Sequence, residues 1–184
     1  MNFNFLGLGK SCVITPEKIK DERGYFSRVY CSELFQSNGL CTHWVQSNIS
    51  LSHSKFTLRG LHLQDVPFEE TKLIRCTSGS IFDVVVDLRA NSSTYGQYRS
   101  FTLDSLNSQM MYVPPGFAHG FMTLSSTTEI TYLVSQVYSK ASERTLLWSD
   151  KEIAIQWPAL PSTISDKDQA GDTLSVFKPI NLKF

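Results

Sequence analysis

The sequence lacks an excess of charge of either sign. Its 184 residues include 17 Lys and Arg and 17 Asp and Glu, so the formal net charge at pH 7 is zero. A surface that binds nucleic acid or an anionic membrane needs an excess of basic residues. The composition therefore predicts neither nucleic-acid binding nor a polybasic membrane contact. It still permits a small local group of cations, which an anionic ligand would need.

Long apolar runs and paired cysteine motifs are also missing. No apolar run approaches the length of a membrane span, and segment 1–7 lacks the charged and apolar regions of a signal peptide. The four cysteines show no CxxC spacing, which favours buried thiols in a reducing compartment. These absences predict a cytoplasmic protein without a membrane contact. The cysteines are Cys12, Cys31, Cys41 and Cys76.

Strand signals dominate what the sequence does contain. Along segment 80–88, alternation places Val84 and Val86 on one face of a strand and Asp83 and Val85 on the other. Similar segments recur between turn residues, so the sequence predicts an all-β jelly-roll barrel with a few short peripheral helices. One domain spanning 1–184 is expected. The other predicted strands are 24–30, 44–51, 71–77, 98–103, 109–113, 120–124 and 129–138. The predicted helices are one from an N-cap at Ser32 to Gly39 and a short one after Asp150.

Two short motifs carry histidines in positions that point to a site. Segment 57–64 reads TLRGLHLQ, and segment 114–121 reads PPGFAHGF. The second has the Pro-x-Gly-x-x-His spacing of a turn that delivers a histidine into the mouth of a cupin-type barrel. Metal-binding cupins carry His-x-His in the first motif, where this chain has His62 and Gln64. A metal site needs three or four ligands, so we expect no metal and a site that uses its polar residues as acids and bases.

Further motifs follow one another in an order typical of one family. The first half holds DERGYF at 21–26, QSN at 46–48, LRGLHLQ at 58–64 and Lys72. The second half holds DVVVDLR at 83–89, PPGFAHGF at 114–121, Tyr132, Glu143, WP at 157–158 and KD at 167–168. Over about residues 10–172 the chain resembles the dTDP-4-dehydrorhamnose 3,5-epimerase family. The resemblance implies a metal-free jelly-roll homodimer that needs no cofactor. It also implies epimerisation at C3, C5 or both of a nucleoside-diphospho-4-keto-6-deoxyhexose.

This chemistry requires an acid, a base and a positively charged group that stabilises the enolate oxygen. A 4-keto group acidifies the protons on C3 and C5, so a base on one face can remove such a proton and an acid on the other can return one. The resemblance implies that His62 is the base, oriented by Asp168, and that Tyr132 is the acid. It implies that Lys72 places its ammonium at the developing enolate oxygen.

The residues by themselves leave other interpretations open. A lone His62 is more often structural, and a strand tyrosine such as Tyr132 is more often a core aromatic. Lys72 could equally be a strand-end lysine that pairs with Glu69 or Glu70. Asp83 competes with Asp168 to orient a histidine, and the sequence does not rank the two.

Substrate binding is assigned to a second group of residues. Arg59 and His62 have opposite parity in a regular strand, so both can face one pocket only if the strand bulges, most easily at Gly60. Arg59 can then reach a phosphate with its planar fork. The other expected ligand contacts are Arg23 and Lys167 at the diphosphate, His119 near the sugar, Phe26 and Tyr138 at the nucleobase, and Gln46, Asn48 and Glu143 at polar groups of the nucleotide.

Two departures from the family pattern leave the substrate open. Arg28 stands where many family members carry a glutamate that helps to recognise the nucleotide, and segment 68–71 replaces a Gln-Gly-type turn. The nucleotide is therefore open between dTDP, CDP and another base. The alternatives are a single-site 3- or 5-epimerase and a non-catalytic sugar-nucleotide-binding cupin. A metal-dependent cupin oxygenase is a further alternative, against which the few motif histidines argue.

Overall fold

Two antiparallel sheets packed face to face form the fold of the computed structural model, which describes residues 1–182. Two short strands form a separate ribbon. In chain order the elements are β1 (Asn2–Phe5), β2 (Cys12–Thr15), β3 (Lys18–Asp21), β4 (Gly24–Ser27), α1 (Ser32–Ser37), β5 (Gln46–Ser52), β6 (Leu58–Gln64), β7 (Lys72–Ser78), β8 (Ser80–Asp87), β9 (Tyr98–Asp104), β10 (Met110–Val113), β11 (Phe117–Thr123), β12 (Thr128–Val134), β13 (Glu143–Thr145) and α2 (Asp166–Gln169).

The strand order explains how distant motifs meet. One sheet runs β1-β2-β10-β7-β12-β5, the other runs β13-β6-β11-β8-β9, and β3 and β4 form the ribbon. The two histidine motifs lie on β6 and β11, which are neighbours in the second sheet. Lys72 and Tyr132 lie on β7 and β12, which are neighbours in the first sheet. The site residues therefore come from two facing sheets.

The core lies between the sheets and follows the alternation in the sequence. Ile81 and Val85 of β8 pack with Ile74 and Ile130 of the opposite sheet. Val84 faces the other way, into a second apolar cluster under the C-terminal segment. Burying an aliphatic side chain of this size contributes about 1.5–3 kcal/mol, so the two faces of β8 fix its register. The predicted alternation and the all-β jelly-roll with short helices are confirmed.

Several predicted boundaries are wrong. The strand predicted over 129–138 ends at Val134. This is its last paired residue, and it pairs with Gln46 on one side and Lys72 on the other. The strand predicted over 24–30 ends at Ser27, where the ribbon ends.

The helix predicted after Asp150 is a single turn. The Asp150 carboxylate accepts hydrogen bonds from the backbone N–H groups of Glu152 (2.8 Å) and Ile153 (2.9 Å). Ala154 then takes a positive φ of 52°, which a continuing right-handed helix does not allow. By contrast, α1 forms where it was predicted, although its N-cap is Cys31.

All four cysteines are free thiols, and they differ in burial. Cys12 and Cys76 are fully buried free thiols, whereas Cys31 and Cys41 are half-buried. Burial raises the pKa of the Cys12 thiol to about 12 and that of Cys76 to about 11. Within residues 1–182, no helix is long and apolar enough to cross a membrane. The single domain over 1–184 stays a prediction, and its last two residues lie outside the described range.

Candidate active site

A bulge in β6 brings two side chains of opposite parity into one pocket. His119 of β11 pairs with His62, and Phe121 pairs with Arg59, so three steps on β6 face two steps on β11. Gly60 lies in this bulge with a φ of 112°, and a Cβ there would lie 2.6 Å from the Cα of Gly120. Only glycine fits so close to the neighbouring backbone. The predicted bulge is confirmed, and Arg59 and His62 both line the pocket.

The pocket lies between the two sheets and has a volume of about 490 Å³. Its apolar walls include Ile74 and Ile130 from one sheet and Phe121 from the other. Ionisable side chains line the remaining wall, and a small anionic ligand fits such a combination. They are Arg59, His62, Lys72, His119, Tyr132, Lys167 and Asp168.

His62 is paired with a buried carboxylate. Its Nε2 lies 2.6 Å from Oδ1 of Asp168, and the backbone N–H of Gly60 donates to Oδ2 at 3.1 Å. Burial alone would raise the pKa of the Asp168 carboxyl, but the hydrogen bond and the charge of His62 outweigh burial and lower it. Asp168 is therefore ionised at neutral pH, and Nδ1 is the imidazole nitrogen that remains for a ligand.

A second histidine–aspartate pair lies deeper in the pocket. Nε2 of His119 is 2.8 Å from Oδ2 of Asp83, and both side chains are buried. Oδ1 of Asp83 has no hydrogen-bond partner among residues 1–182. The structure thus divides the carboxylates that the sequence did not rank: Asp83 contacts His119, and Asp168 contacts His62.

Tyr132 enters the pocket from the sheet opposite His62. It lies on the inner face of β12, with Ile130 of the same strand beside it in the pocket wall. Burial raises the pKa of the Tyr132 phenol, the Glu70 carboxylate raises it further, and Arg59 acts in the opposite direction. The phenol therefore stays protonated at neutral pH. A ligand between the sheets would have an imidazole on one side and a neutral phenol on the other.

Lys72 both lines the pocket and forms an ion pair. Its Nζ lies 3.1 Å from Oε1 of Glu70, and the side chains are 12% and 11% exposed. The same Nζ donates to the backbone oxygen of His62 at 3.4 Å. The predicted pairing with Glu70 is confirmed, and the role of Lys72 at an enolate oxygen stays a prediction.

Arg59 is fixed by the edge strand of the first sheet. Its Nε donates to Oγ of Ser52 at 3.1 Å, and its Nη2 donates to the backbone oxygen of Leu51 at 3.0 Å. These contacts hold one side of the planar guanidinium in place. The N–H groups that take no part in them can donate to an anion in the pocket.

Three predicted binding residues form a cluster at the rim. Nζ of Lys167 lies 2.7 Å from Oε1 of Glu143, and the Tyr138 hydroxyl donates to Oε2 of Glu143 at 3.2 Å. Burial would raise the pKa of Glu143, but Lys167 and the neighbouring groups lower it. Of the three, only Lys167 lines the pocket itself. Tyr138 is exposed and lies beyond the end of β12.

Five further predicted binding residues do not line the pocket either. Arg23 is exposed and pairs with Asp21 at 2.5 Å, and Phe26 is 61% exposed on the ribbon. The remaining three lie on or near exposed strands: Arg28 after β4, and Gln46 and Asn48 on the edge strand β5. Asn48 nevertheless pairs with Tyr132, and Gln46 pairs with Val134, so one chain brings these two close to the site. It does not bring Arg23, Phe26 or Arg28 to the pocket.

The resemblance singled out Asp168, but the sequence did not predict helix α2 or how its segment docks. The backbone N–H of Leu58 donates to the oxygen of Thr163 at 2.9 Å, which docks this segment beside β6. Ser165 then caps α2 by accepting a hydrogen bond from the N–H of Asp168 at 3.2 Å. The Ser-x-x-Asp spacing was the available signal for this cap. Ser50 and Thr57 also line the pocket without having been predicted.

In the part of the chain that the structure describes, no group of three or more His, Cys, Asp or Glu side chains is arranged to hold a metal ion. The predictions of no metal and no cofactor stay predictions.

Fold and site together define a cupin-like jelly-roll enzyme with a histidine–aspartate pair facing a tyrosine. Residues 6–175 match the family model described as dTDP-4-dehydrorhamnose 3,5-epimerase. The chain belongs to this family, and its reaction class is that of an isomerase. The resemblance and the reaction class predicted from the sequence are thereby confirmed.

Individual relatives agree with this assignment. A dTDP-4-dehydrorhamnose 3,5-epimerase of Sinorhizobium fredii is 44% identical over 175 residues, covering 95% of this chain and 90% of the relative. A dTDP-4-dehydrorhamnose 3-epimerase of Streptomyces niveus is 36% identical, covering 92% and 82%. The crystal structure of a dTDP-6-deoxy-D-glucose-3,5-epimerase of Legionella pneumophila in complex with dTDP-4-keto-L-rhamnose has a TM-score of 0.91. It is 31% identical and covers 100% of this chain and 99% of the other.

Proposed function

We propose that this protein epimerises C3 and C5 of dTDP-4-keto-6-deoxyglucose, giving dTDP-4-dehydrorhamnose. One observation carries the proposal: His62 on one sheet, paired with Asp168 of α2, faces Tyr132 on the other sheet across a pocket that Lys72 also lines. A sugar ring between the sheets would meet a base on one face and an acid on the other.

The proposed proton transfers follow from this arrangement. His62 takes the proton from the carbon beside the ketone, and the electron pair of the broken C–H bond moves onto the ketone oxygen. Asp168 stabilises the imidazolium that forms, since its carboxylate is ionised and 2.6 Å away. Lys72 stabilises the enolate oxygen. Tyr132 then donates its proton to the opposite face of the carbon, and solvent reprotonates the phenolate and removes the proton from His62.

The remaining side chains of the pocket serve binding in this proposal. Arg59 and Lys167 bind the diphosphate, since both reach the pocket and carry positive charge. His119, paired with the buried Asp83, donates a hydrogen bond to the sugar. Tyr138 stacks on the nucleobase, and Glu143 holds Lys167 and Tyr138 in place at the rim.

We propose that the protein acts as a homodimer. Phe26 and Ile19 on the ribbon and Ile49 and Leu51 on the edge strand β5 are large apolar side chains that are more than 40% exposed. Exposed patches of this kind mark interaction surfaces. In a dimer the ribbon of a second copy, which carries Arg23, would complete the binding site. Sedimentation at micromolar concentration tests this, and a monomer with full activity would contradict it.

The nucleotide and the compartment belong to the same proposal. The dTDP-sugar bound to the relative from Legionella pneumophila supports a dTDP substrate. A CDP-sugar remains the alternative substrate. The reason is that the exposed Arg28 replaces the glutamate that helps many family members to recognise the nucleotide. A nucleotide-sugar substrate and four free cysteines support a cytoplasmic enzyme, with neither nucleic acid nor membrane as a partner.

A single-site epimerase is the second candidate, which the relative named as a 3-epimerase favours. Incubation of the protein with dTDP-4-keto-6-deoxyglucose in D₂O separates the candidates, with deuterium at C3 and C5 read by NMR. We expect exchange at both carbons and formation of dTDP-4-dehydrorhamnose. Exchange at one carbon would identify a single-site enzyme, and binding without exchange would identify a non-catalytic cupin. In the control His62→Ala, we expect neither exchange nor turnover, with an unchanged circular dichroism spectrum.

A further inference from the structure

Glu70 forms a largely buried ion pair immediately behind the pocket wall. Its side chain is 11% exposed, and its Oε1 lies 3.1 Å from Nζ of Lys72, whose side chain is 12% exposed. Lys72 lines the pocket, but Glu70 does not. A buried ion pair contributes little net stability, because desolvation offsets the attraction of the charges. The position of this pair therefore indicates a role in the site.

The backbone around Glu70 is joined to the strand that carries the phenol. The N–H of Thr71 donates to Oγ of Ser135 at 2.8 Å, and the N–H of Ser135 donates to the oxygen of Thr71 at 3.1 Å. Lys72 then pairs with Val134 in the sheet. Since Lys72, Val134 and Tyr132 share the inner face, the ammonium and the phenol are diagonal neighbours there. Glu70 is thus held beside both groups.

We propose that Glu70 is a positioning residue that acts through Lys72 and Tyr132. Its carboxylate holds the Lys72 ammonium at the pocket wall and keeps a negative charge beside the Tyr132 phenol. This inference rests on the proposed function, because it assumes that Lys72 meets an enolate and that Tyr132 donates a proton.

The other charges around the phenol show why this negative charge matters. Arg59, Lys72 and Lys167 bring positive charge into the pocket, and the paired His62 and His119 add to it when protonated. Positive charge favours the phenolate, which cannot donate a proton. Asp168 and Asp83 contact the two histidines, whereas Glu70 is the carboxylate whose charge acts on the Tyr132 phenol. It thereby extends the pH range over which Tyr132 stays an acid.

Two substitutions of Glu70 distinguish its two proposed roles, which are to hold the Lys72 ammonium and to supply negative charge. Glu70→Gln keeps an oxygen within reach of the Lys72 ammonium but removes the negative charge. Glu70→Ala removes both, so the ammonium loses its partner. Glu69→Gln is the matched control, because Glu69 is the adjacent glutamate and forms no ion pair within residues 1–182.

Deuterium exchange and kcat measured from pH 6 to pH 10 give the test. In Glu70→Ala we expect kcat at pH 7 to fall by at least about tenfold, because the ammonium is misplaced. In Glu70→Gln we expect most of that loss to be restored, whereas the alkaline fall in kcat moves about one pH unit lower. Glu69→Gln should leave the profile unchanged. The double variant Glu70→Gln/Tyr132→Phe should show no such movement, because the titrating phenol is absent.

The outcomes distinguish a failure of this inference from a failure of the proposed function. Suppose that the unaltered protein epimerises the substrate but that kcat of Glu70→Gln falls at the same alkaline pH. Glu70 is then not a positioning residue. The same conclusion holds if Glu69→Gln moves the fall equally. If the unaltered protein catalyses no exchange, the proposed function itself fails. Ultraviolet difference titration of the Tyr132 phenol, with Glu70→Gln/Tyr132→Phe as blank, then still tests the charge effect without turnover.

Discussion

Oδ1 of Asp168 lies 2.6 Å from Nε2 of His62, although 106 residues separate them in the chain. The other oxygen of the carboxylate accepts the backbone N–H of Gly60, inside the bulge of β6. One buried carboxylate thus ties the short helix α2 to both the imidazole and the backbone that presents it. The orientation of His62 therefore depends on how the C-terminal segment docks.

Replacing this carboxylate tests its role in the proposed chemistry. In Asp168→Asn we expect kcat to fall by about 100-fold or more, because a neutral amide does not stabilise the imidazolium that proton abstraction creates. Thermal unfolding shows whether the fold survives the change. Asp166→Asn is the control, since Asp166 is an exposed carboxylate on the same helix. Equal activity of the two variants would argue against the pairing as a catalytic feature.

How much of this site could be predicted from the sequence depends on the residue. The bulge at Gly60 follows from the parity of Arg59 and His62 once both are assigned to one pocket. The partner of His62 was not predictable locally, because Asp168 approaches from the far end of the chain and looks like a solvated residue. Only the resemblance to a family singled it out.

Other features were decided by long-range contacts. The strand predicted over 129–138 stops at Val134 because its partners β5 and β7 begin there, which alternation within one segment does not reveal. The turn after Asp150 is held by the carboxylate of that residue, whose Oδ2 also accepts the N–H of Leu174 at 2.8 Å. The ribbon residues Arg23 and Phe26 lie outside the pocket of the chain, which the order of the motifs along the sequence does not reveal.

Tyr132→Phe separates proton abstraction from proton return. We expect epimerisation to slow by about 100-fold, because the acid on one face is lost. Exchange of the substrate proton should decline less, since His62 still removes it and solvent deuterium can return on the same face. NMR follows inversion and deuterium incorporation in one sample. Tyr98→Phe is the control, because its hydroxyl contacts the N–H of Gln156 outside the pocket. Loss of exchange and inversion to the same degree would contradict separate acid and base roles.

Gly60→Ala tests the close approach of β6 to β11. The new Cβ would lie 2.6 Å from the Cα of Gly120 and 2.7 Å from the oxygen of His119, and backbone atoms cannot move aside cheaply. We expect a loss of about 3 kcal/mol in unfolding free energy and a fall in kcat, since the bulge positions His62.

Gly24→Ala provides the comparison for Gly60→Ala. Gly24 also has a positive φ, of 134°, but a Cβ there would meet no atom within 4 Å. This variant therefore carries only the backbone strain, and we expect a loss of about 1 kcal/mol in unfolding free energy. Denaturant unfolding and steady-state kinetics measure both variants. Equal losses of unfolding free energy in the two variants would show that the close contact of β6 with β11 at Gly60 adds nothing to the cost of the substitution.

Asp87→Asn tests a buried ion pair outside the pocket. Asp87 is fully buried, and its carboxylate accepts hydrogen bonds from Arg89 at 2.9 and 2.7 Å and from Ser92 and Thr94, each at 2.6 Å. Burial alone would raise the pKa of this carboxyl, but these donors outweigh burial and lower it below its ordinary 3.8. At pH 7 we expect the substitution to cost about 3 kcal/mol, because the guanidinium is left without a charged partner.

The pH dependence of this loss follows from the sign of the pKa shift. A carboxyl whose pKa is lower in the folded state stabilises the fold above its unfolded pKa, and the stabilisation is lost as pH falls through the folded value. The difference between Asp87→Asn and the unaltered protein should therefore shrink below about pH 4. Asp21→Asn is a matched control, since Asp21 pairs with Arg23 at the same spacing but on the surface, where we expect no measurable change. Thermal melts from pH 3 to pH 7 provide the comparison. A difference that stayed constant over this range would show that the charge of Asp87 does not stabilise the fold.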